Sequence, residues 1–368
     1  MGKNRKRYFL IKRLKKMNLW LIANILAIFA LSLMSIYSST IPKGPSFFQK
    51  ELLWFFVSAI VFVAFSLLDY HKYMKYDRYV YLFNVLMLLS VFVIGTRRLG
   101  AQRWIDLGPI SIQPSEFAKI FLVLTLSSYM AKHSNERFEG FRSMMLSFLH
   151  MLPIFILIAL QPDLGTSLVL LVIYASLVFI NGLDWRTIFI LLLAAISAIP
   201  GAYFFLLHDY QRQRVLTFLH PGEDMLGSGW NVMQSMIAIG SGGVRGKGFL
   251  ENSQSKLRFL PESHTDFIGA VYLEERGFLG GVALLLLYLL LLIQILKIAE
   301  DTEERFGKLI CYGIASIFFF HIFINLGMIM GIMPVTGLPL LLMSYGGSSL
   351  VFAYMMLGIV QSVKFYRG

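Results

Sequence analysis

Charged residues are scarce in this chain: they make up 15% of its 368 residues. A soluble domain carries about 25% charged residues, so this chain has too few of them to cover a surface that faces water. Hydrophobic residues account for 57%, with 32 Phe and 17 Tyr among them. The composition therefore excludes an ordinary soluble domain and predicts a membrane protein.

Cysteine is almost absent, and acidic residues are in the minority. Cys311 is the only cysteine and lies in an apolar run, which excludes an internal disulfide. The chain has 33 Lys and Arg against 21 Asp and Glu, and eight of the basic residues lie within residues 1–18. This clustering is typical of the cytoplasmic flank of a membrane span that contacts anionic membrane lipids, and it argues against nucleic acid as a partner.

Ten apolar segments are long enough to cross a bilayer, since a span needs about 20 mostly apolar residues. They are 18–39, 49–68, 79–96, 115–132, 143–160, 164–181, 186–207, 266–296, 308–332 and 337–363. The first is interpreted as a retained span, because it is too long for a signal peptide and no clear cleavage site follows it. We therefore predict an all-α fold: a basic cytoplasmic tail at 1–17, then a single ten-helix membrane domain at 18–368. A large extracytoplasmic loop, 208–265, is predicted between the seventh and eighth helices.

The distribution of basic residues predicts the orientation. With the N-terminus in the cytoplasm, the inner segments carry 20 Lys and Arg, whereas the short outer segments carry five. Both termini are then cytoplasmic. The polar segments 97–114, 161–163 and 208–265 all face outward, so we expect the functional site on that side.

Asp266 stands where the long polar segment returns to apolar sequence. An ionisable residue at such a place is costly to keep charged and is therefore a functional-site hypothesis. In a partly dry cleft its carboxylate has a proton affinity suited to a general base, and His264 is a candidate neighbour. The alternative is that Thr265 or Asp266 only caps the next helix.

Several basic residues on the outward face are candidates for binding an anionic substrate. Glu116 and Lys119 share a helix face, which indicates either a neutralised pair between helices or a cation that faces a cavity, with Arg103 near the same mouth. Arg212 and Arg214 could hold a phosphate bidentately or be solvated loop charges.

The glycine-rich segment 240–248, with Arg245 and Lys247, does not match a nucleotide-binding loop. Ser241 stands where a Walker A loop needs Gly, and Gly248 where it needs Ser or Thr. A backbone nest for phosphate and a flexible hinge both remain open.

The remaining candidate site residues are in the turn at 161–163, at the start of the tenth predicted span, and in one acidic pair. Asp163, after Gln161 and Pro162, either caps the next helix or belongs to the same site as Asp266. Ser344 lies in a stretch whose small residues favour close packing or local unwinding. No cofactor is assigned; Glu274 and Glu275 leave a Mg²⁺ or Mn²⁺ ion open, although no zinc-type spacing is present.

Six sequence blocks, in this order, resemble the SEDS family of bacterial cell-wall and division membrane proteins. The blocks are Gly100-Ala-Gln-Arg-Trp104, Pro114-Ser-Glu-Phe-Ala-Lys119, Gln161-Pro-Asp-Leu-Gly-Thr166, Asp209-Tyr-Gln-Arg-Gln-Arg214, Phe259-Leu-Pro-Glu-Ser-His-Thr-Asp-Phe267 and Ser344-Tyr-Gly-Gly-Ser-Ser349. The match covers nearly the whole chain except the basic tail. Gln161 and the run 251–256 look more like the RodA branch, which serves cell elongation and shape, than the FtsW branch. Arg276 departs from the family pattern, where many relatives have Leu.

The resemblance implies a peptidoglycan glycosyltransferase in the bacterial cytoplasmic membrane. Such an enzyme polymerises lipid II, the disaccharide-pentapeptide carried on undecaprenyl pyrophosphate, at the outer membrane face, beside a class B penicillin-binding protein that crosslinks the strands. The family's essential acidic residue falls on Asp266. The predicted substrate-binding set is Lys119, Glu116, Arg103, Arg212, Arg214, Gln161, Asp163, His264, Arg245, Lys247 and Ser344. The competing hypotheses are a lipid II flippase, which often shows inverted repeats, and a non-catalytic scaffold for the transpeptidase.

Overall fold

The computed structural model describes residues 17–41, 44–98, 101–108, 110–133, 141–182, 209–219, 227–257 and 259–366, with isolated positions between 186 and 201. Its helices are α1 Leu19–Thr40, α2 Ser46–Leu67, α3 His71–Lys75, α4 Asp77–Ile94, α5 Pro114–Lys132, α6 Phe141–Leu160, α7 Leu164–Ile180, α8 Asp209–Leu219, α9 Ser228–Gly242, α10 Ser253–Lys256, α11 Ile268–Glu300, α12 Arg305–Ile329 and α13 Gly347–Tyr366. Its strands are β1 Thr96–Arg98, β2 Ala101–Leu107 and β3 Ile110–Ile112.

The described helices make this a multi-pass membrane protein. Seven of them are long and apolar enough to cross a membrane: α1, α2, α4, α6, α11, α12 and α13. α7 is apolar but shorter, and α5 carries the charged residues Glu116 and Lys119. Nine of the ten predicted spans overlap helices, whereas most of the seventh, 186–207, lies outside the described residues. The count of ten therefore stays a prediction.

The tenth predicted span, 337–363, was placed too early. Its helix, α13, begins only at Gly347, because Gly337 and Leu342 have φ angles of +75° and +69°, which an α-helix cannot include. Pro339 also lacks the N–H that a helix interior needs. Residues 330–346, called here the connecting segment, instead join α12 to α13 in an irregular path.

The all-α prediction is wrong in one place, because part of the outward segment 97–114 forms a small antiparallel sheet in the order β1-β2-β3. Trp104 pairs with Thr96, and Ile105 pairs with Ile112. β-branched and aromatic residues favour strands, and Gly108, with a φ of +71°, allows the tight turn between β2 and β3.

The predicted loop 208–265 is largely helical in its described part, where it contains α8, α9 and α10. The apolar side of α9 packs on the first turns of α11 through Val232, Ala238, Phe267 and Val271. This packing holds the segment against the outer end of the helix bundle.

The glycine-rich segment 243–248 is a fixed partner of a kink in α11 at Gly277, whose φ is +64°. Lys247 N–H donates to the Glu274 carbonyl at 3.0 Å, and Phe278 N–H donates to the Gly243 carbonyl at 2.9 Å. Backbone groups that a kink releases from the helix must find partners within a membrane protein. The segment supplies them, so we call residues 243–248 the glycine staple.

The most buried helices are α5, α12 and α13, whereas α2 and α4 expose most of their side chains. α12 packs against α5, α7 and α11, and α13 packs against α2. The polar residues of α5 and α12 therefore meet inside the bundle rather than at its surface.

Substituting Gly246 should disrupt the staple. A Cβ at Gly246, with φ +80°, would lie 2.1 Å from the Glu275 carbonyl oxygen. We expect Gly246→Ala to destabilise the protein by at least about 2 kcal/mol, seen as a lower Tm of the purified protein in detergent. Gly240→Ala is the control, since a Cβ there meets nothing within 4 Å and should change stability by about 1 kcal/mol or less. Equal Tm values for the two variants would contradict the staple.

Candidate active site

Asp266 lies in the turn that precedes α11, where α12 fixes its backbone. The side-chain amide of Asn325 on α12 donates to the Asp266 carbonyl at 2.9 Å and to the Leu338 carbonyl at 2.9 Å. Gly337, in the connecting segment, passes beside the carboxylate, since a Cβ there would lie 3.8 Å from Asp266 Oδ2. One amide therefore holds the acidic residue and the connecting segment together.

The surroundings raise the pKa of Asp266 to about 6. Burial is the largest cause, and the negative charge of Glu262 is the second. Arg214 opposes the shift, while Glu116 adds to it. A carboxylate with this pKa is ionised at neutral pH and binds a proton more readily than an ordinary aspartate, as a general base requires.

Lys119 and Glu116 form a fully enclosed ion pair. Lys119 Nζ lies 2.9 Å from Glu116 Oε1 and 3.0 Å from His321 Nε2, and the side chain of Lys119 is completely buried. Its Nζ also lies 4.6 Å from the ring centroid of Phe352. The pair thus joins α5 to α12 and α13, as the helix-holding interpretation predicted. Glu116 is nevertheless close enough to Asp266 to affect its pKa.

The connecting segment is held by side chains from several helices. Its backbone carbonyls accept hydrogen bonds from Arg214 of α8, from Ser32 of α1, and from Tyr288 of α11. His321 and Asn325 of α12 bond two more of its carbonyls. Hydrogen bonds from four helices therefore hold the segment that passes Asp266.

Arg214 is the predicted cation with the most direct link to Asp266. Its guanidinium donates to the Val335 carbonyl at 3.0 Å and lines a small cavity with Val232 and Met333. Its positive charge acts on the Asp266 carboxylate. Arg212, two residues earlier on α8, is half-buried.

His264 and Ser344 lie at the outer side of the same region. The His264 carbonyl accepts from the Tyr345 N–H at 2.9 Å, and its ring contacts the rings of Phe47 and Tyr345. Ser344 is buried and accepts from the Leu340 N–H at 2.8 Å. Both predicted residues therefore support the connecting segment beside Asp266.

Asp163 caps α7, as the simpler interpretation predicted, and also anchors a polar network. Its carboxylate accepts from the Thr166 N–H at 3.2 Å and from the Ser115 hydroxyl at 2.9 Å. The network therefore joins the start of α7 to the start of α5, the helix that carries the enclosed ion pair.

Arg103 and Gln161 belong to the Asp163 network. Arg103 on β2 donates to the Gln161 carbonyl at 3.1 Å and lies 3.8 Å from Asp163 Oδ1. Gln161 Nε2 donates to the Leu88 carbonyl at 2.9 Å. The structure thus ties the sheet to the turn between α6 and α7.

The predicted residues Arg245 and Lys247 lie on the glycine staple. Lys247 Nζ lies 2.6 Å from Glu274 Oε1 and 2.9 Å from Ser253 Oγ, while Arg245 is exposed. Arg276, whose partner the sequence left unnamed, stacks over the Phe249 ring at 5.7 Å.

The acidic pair Glu274 and Glu275 does not fit a metal ion. Glu274 is bonded to Lys247, and Glu275 accepts from Ser38, Asn252 and the backbone of the outer loop. Across the described residues, no group of three or more His, Cys, Asp or Glu is placed to hold a cation.

Sequence reasoning missed His321 and Asn325. They lie four residues apart on α12 and so share one helix face. Polar residues at that spacing within an apolar span are a recognisable signal of a functional or packing face.

Comparisons with known proteins identify relatives over nearly the whole chain. The family of cell cycle proteins comprising FtsW, RodA and SpoVE matches residues 13–367. Peptidoglycan glycosyltransferase MrdB of Escherichia coli is 39% identical over 346 residues, covering 93% of this chain and 92% of that protein. Peptidoglycan glycosyltransferase RodA of Treponema pallidum is 32% identical, covering 94% of this chain and 96% of that protein.

Solved structures have the same fold. A chain from a peptidoglycan synthase complex, solved to describe how polymerization and crosslinking are coordinated, has a TM-score of 0.82 and 31% identity and covers 96% of this chain and 99% of its own. The rod shape determining protein RodA of Thermus thermophilus has a TM-score of 0.72 and 30% identity, with 95% of this chain and 97% of its own covered.

The enclosed ion pair should respond differently from an exposed one on the same helix. Lys119→Met leaves Glu116 buried without its cation, so we expect a loss of about 3–5 kcal/mol. Lys132→Met breaks a 2.6 Å pair with Asp77 in which the lysine is 41% exposed, so about 0–1 kcal/mol is expected. The Tm values of the two single variants test this difference. The double variant Glu116→Gln/Lys119→Met should recover part of the loss seen in Lys119→Met. Equal Tm losses in the two single variants would count against the enclosed pair.

Proposed function

We propose that this chain, which belongs to the FtsW, RodA and SpoVE family of cell cycle proteins, is a peptidoglycan glycosyltransferase that joins lipid II disaccharides into glycan strands. The proposal rests on Asp266. Its carboxylate is half-buried at the outer end of the bundle, its backbone is fixed by Asn325, and its pKa is raised to about 6. Within the described part of the chain, no hydrogen-bond donor contacts this carboxylate, so it is available to a substrate hydroxyl.

The reaction is a displacement at a sugar carbon. The acceptor's sugar hydroxyl attacks the anomeric carbon of the lipid-linked donor while Asp266 removes the hydroxyl proton. The bond between that carbon and the pyrophosphate oxygen breaks, and undecaprenyl pyrophosphate leaves with the electron pair. Cations stabilise the charge that develops there. Arg214 is the best-supported candidate, and Arg212 and Arg103 are the other candidates.

Lys119 acts differently from a surface cation. All of its contacts are with protein groups, so it contributes through its field and through the position of Glu116. The remaining predicted substrate residues, Gln161, Asp163, His264, Arg245, Lys247 and Ser344, stay proposals. Gln161, Asp163 and Ser344 are buried, whereas Arg245 is exposed and His264 is half-buried. Lys247 is paired with Glu274.

The membrane setting follows from the substrate. A lipid-borne donor stays in the bilayer, where a multi-pass membrane enzyme can reach it. The distribution of Lys and Arg supports the outer face of the cytoplasmic membrane as the place of the reaction, with both termini in the cytoplasm. A class B penicillin-binding protein is the proposed partner, since the similar synthase complex coordinates polymerization with crosslinking. The likeness to RodA favours a role in cell elongation and shape.

Loss of the Asp266 carboxylate should abolish polymerisation. We expect Asp266→Asn to lower the rate of glycan strand formation from labelled lipid II by about 100-fold or more, as loss of a general base does. The measurement uses the purified full chain with and without its cognate transpeptidase, and compares strand lengths on gels.

Glu251→Gln is the matched control, since it neutralises an exposed carboxylate of the outer segment and should leave the rate unchanged. Full polymerisation by Asp266→Asn would refute the base assignment. No polymer from the wild type under any partner condition would refute the glycosyltransferase, and a lipid II translocation assay would then test a flippase.

The pH dependence should follow Asp266. A general base must be deprotonated, so its contribution is present above its pKa and is lost as the pH falls through about 6. Glu262→Gln removes a negative neighbour that raises this pKa, so the acid limb of the rate should move to lower pH. An acid limb that stays in place in Glu262→Gln, or moves upward, would contradict the assignment of this limb to Asp266.

A further inference from the structure

Lys119 has no donor left for a substrate in this arrangement. An ammonium group has three N–H donors and no acceptor. One lies toward Glu116 Oε1 at 2.9 Å and another toward His321 Nε2 at 3.0 Å. The third side faces the Phe352 ring, whose centroid is 4.6 Å from Nζ and attracts a cation. The cation is buried and fully partnered.

The two neighbours of His321 both require the same neutral tautomer. Nδ1 lies 3.0 Å from the carbonyl oxygen of Pro339, which can only accept, so Nδ1 carries the hydrogen. Lys119 can only donate, so Nε2 is the acceptor. The imidazole therefore accepts from Lys119 at Nε2 and donates to the connecting segment at Nδ1.

The last acceptor of this chain of hydrogen bonds, the Pro339 carbonyl, belongs to the part of the connecting segment that passes beside Asp266 at Gly337. Pro339 follows Leu338, whose carbonyl accepts from the same Asn325 amide that holds the Asp266 backbone. His321 and Asn325 are one turn apart on α12, so a single helix face sets the positions of both the cation and the acid.

Building on the proposed glycosyltransferase activity, we propose that His321 is a positioning residue of the polymerase site, which acts by holding Lys119 against Glu116 through its Nε2. Without this acceptor a buried N–H of Lys119 is unpaired, and the ammonium is no longer fixed at the position where it offsets the charge of Glu116 on Asp266. The positive charge that bears on Asp266 and on the leaving group then loses its fixed position.

The titratable and charged groups that bear on this cluster come from four elements. Glu116 and Lys119 belong to α5, His321 belongs to α12, Glu262 and Asp266 lie in the turn before α11, and Arg214 belongs to α8. Among these, His321 is the group that joins the cation to the connecting segment.

Two amide variants separate the two bonds of His321. The amide of His321→Gln reaches the position of Nε2 and keeps an acceptor for Lys119, whereas the shorter His321→Asn reaches the position of Nδ1 and keeps only the bond to Pro339. We expect His321→Gln to retain the polymerisation rate within about threefold and His321→Asn to lose about tenfold or more. The loss should appear in kcat rather than KM, because the affected charge matters most as the leaving group departs.

A rate for His321→Gln that is no higher than that of His321→Asn overturns the proposal, because the bond to Lys119 would then not limit the rate. Wild-type polymerisation with this reversed order refutes the positioning role alone. An inactive wild type refutes the proposed function instead.

A second measurement does not need activity. His321→Leu removes the acceptor, and its loss in Tm is compared in the wild type and in Lys119→Met. We expect a large loss in the wild type and a much smaller one in Lys119→Met, since the unpaired donor is then absent. Equal losses in the two backgrounds would show that His321 does not act through Lys119.

Discussion

Inside a bilayer the backbone has no water to bond, and this constraint governs the connecting segment at 330–346. A helix satisfies its own carbonyls, but an irregular segment at membrane depth must be given partners by the protein. Here the partners are five side chains from four helices, namely Ser32, Arg214, Tyr288, His321 and Asn325. Once those side chains are in place, the path of the segment is fixed, and with it the wall of the site beside Asp266.

The same constraint explains where polar residues occur on the buried helices. Asn325 bonds two carbonyls with one amide, and His321 joins a carbonyl to a cation. Both residues satisfy a structural need of the backbone and position a charged group at the same time. Their structural and chemical roles are therefore coupled, which is why variants that keep one bond and remove the other are more informative than simple deletions.

Much of the site could be predicted from local sequence. Asp266 marks the return of a polar segment to the membrane, Glu116 and Lys119 are three residues apart on a helix, and Asp163 stands at a helix start. Each of these signals lies within a few residues. The multi-span character follows in the same way from composition and apolar length.

The parts that sequence could not give depend on distant partners or on ambiguous residues. His321 meets Lys119 across 202 positions of the chain, which no local pattern records. The glycines at 240–248 left a phosphate nest and a flexible hinge open, whereas the segment pairs with the backbone of α11; glycine alone does not specify which of these partners it meets. The apolar stretch 337–363 predicted a helix because hydropathy does not register the φ angles of Gly337 and Leu342.

The glycine staple has a consequence for how the chain is made. Residues 243–248 precede the kink at Gly277 by about thirty positions, so they leave the ribosome first. When the kinked part of α11 enters the bilayer, its backbone partners have already been synthesised and are joined to it by residues 249–267, which include α10. The released carbonyls and N–H groups can therefore pair during insertion, without waiting for α12 and α13.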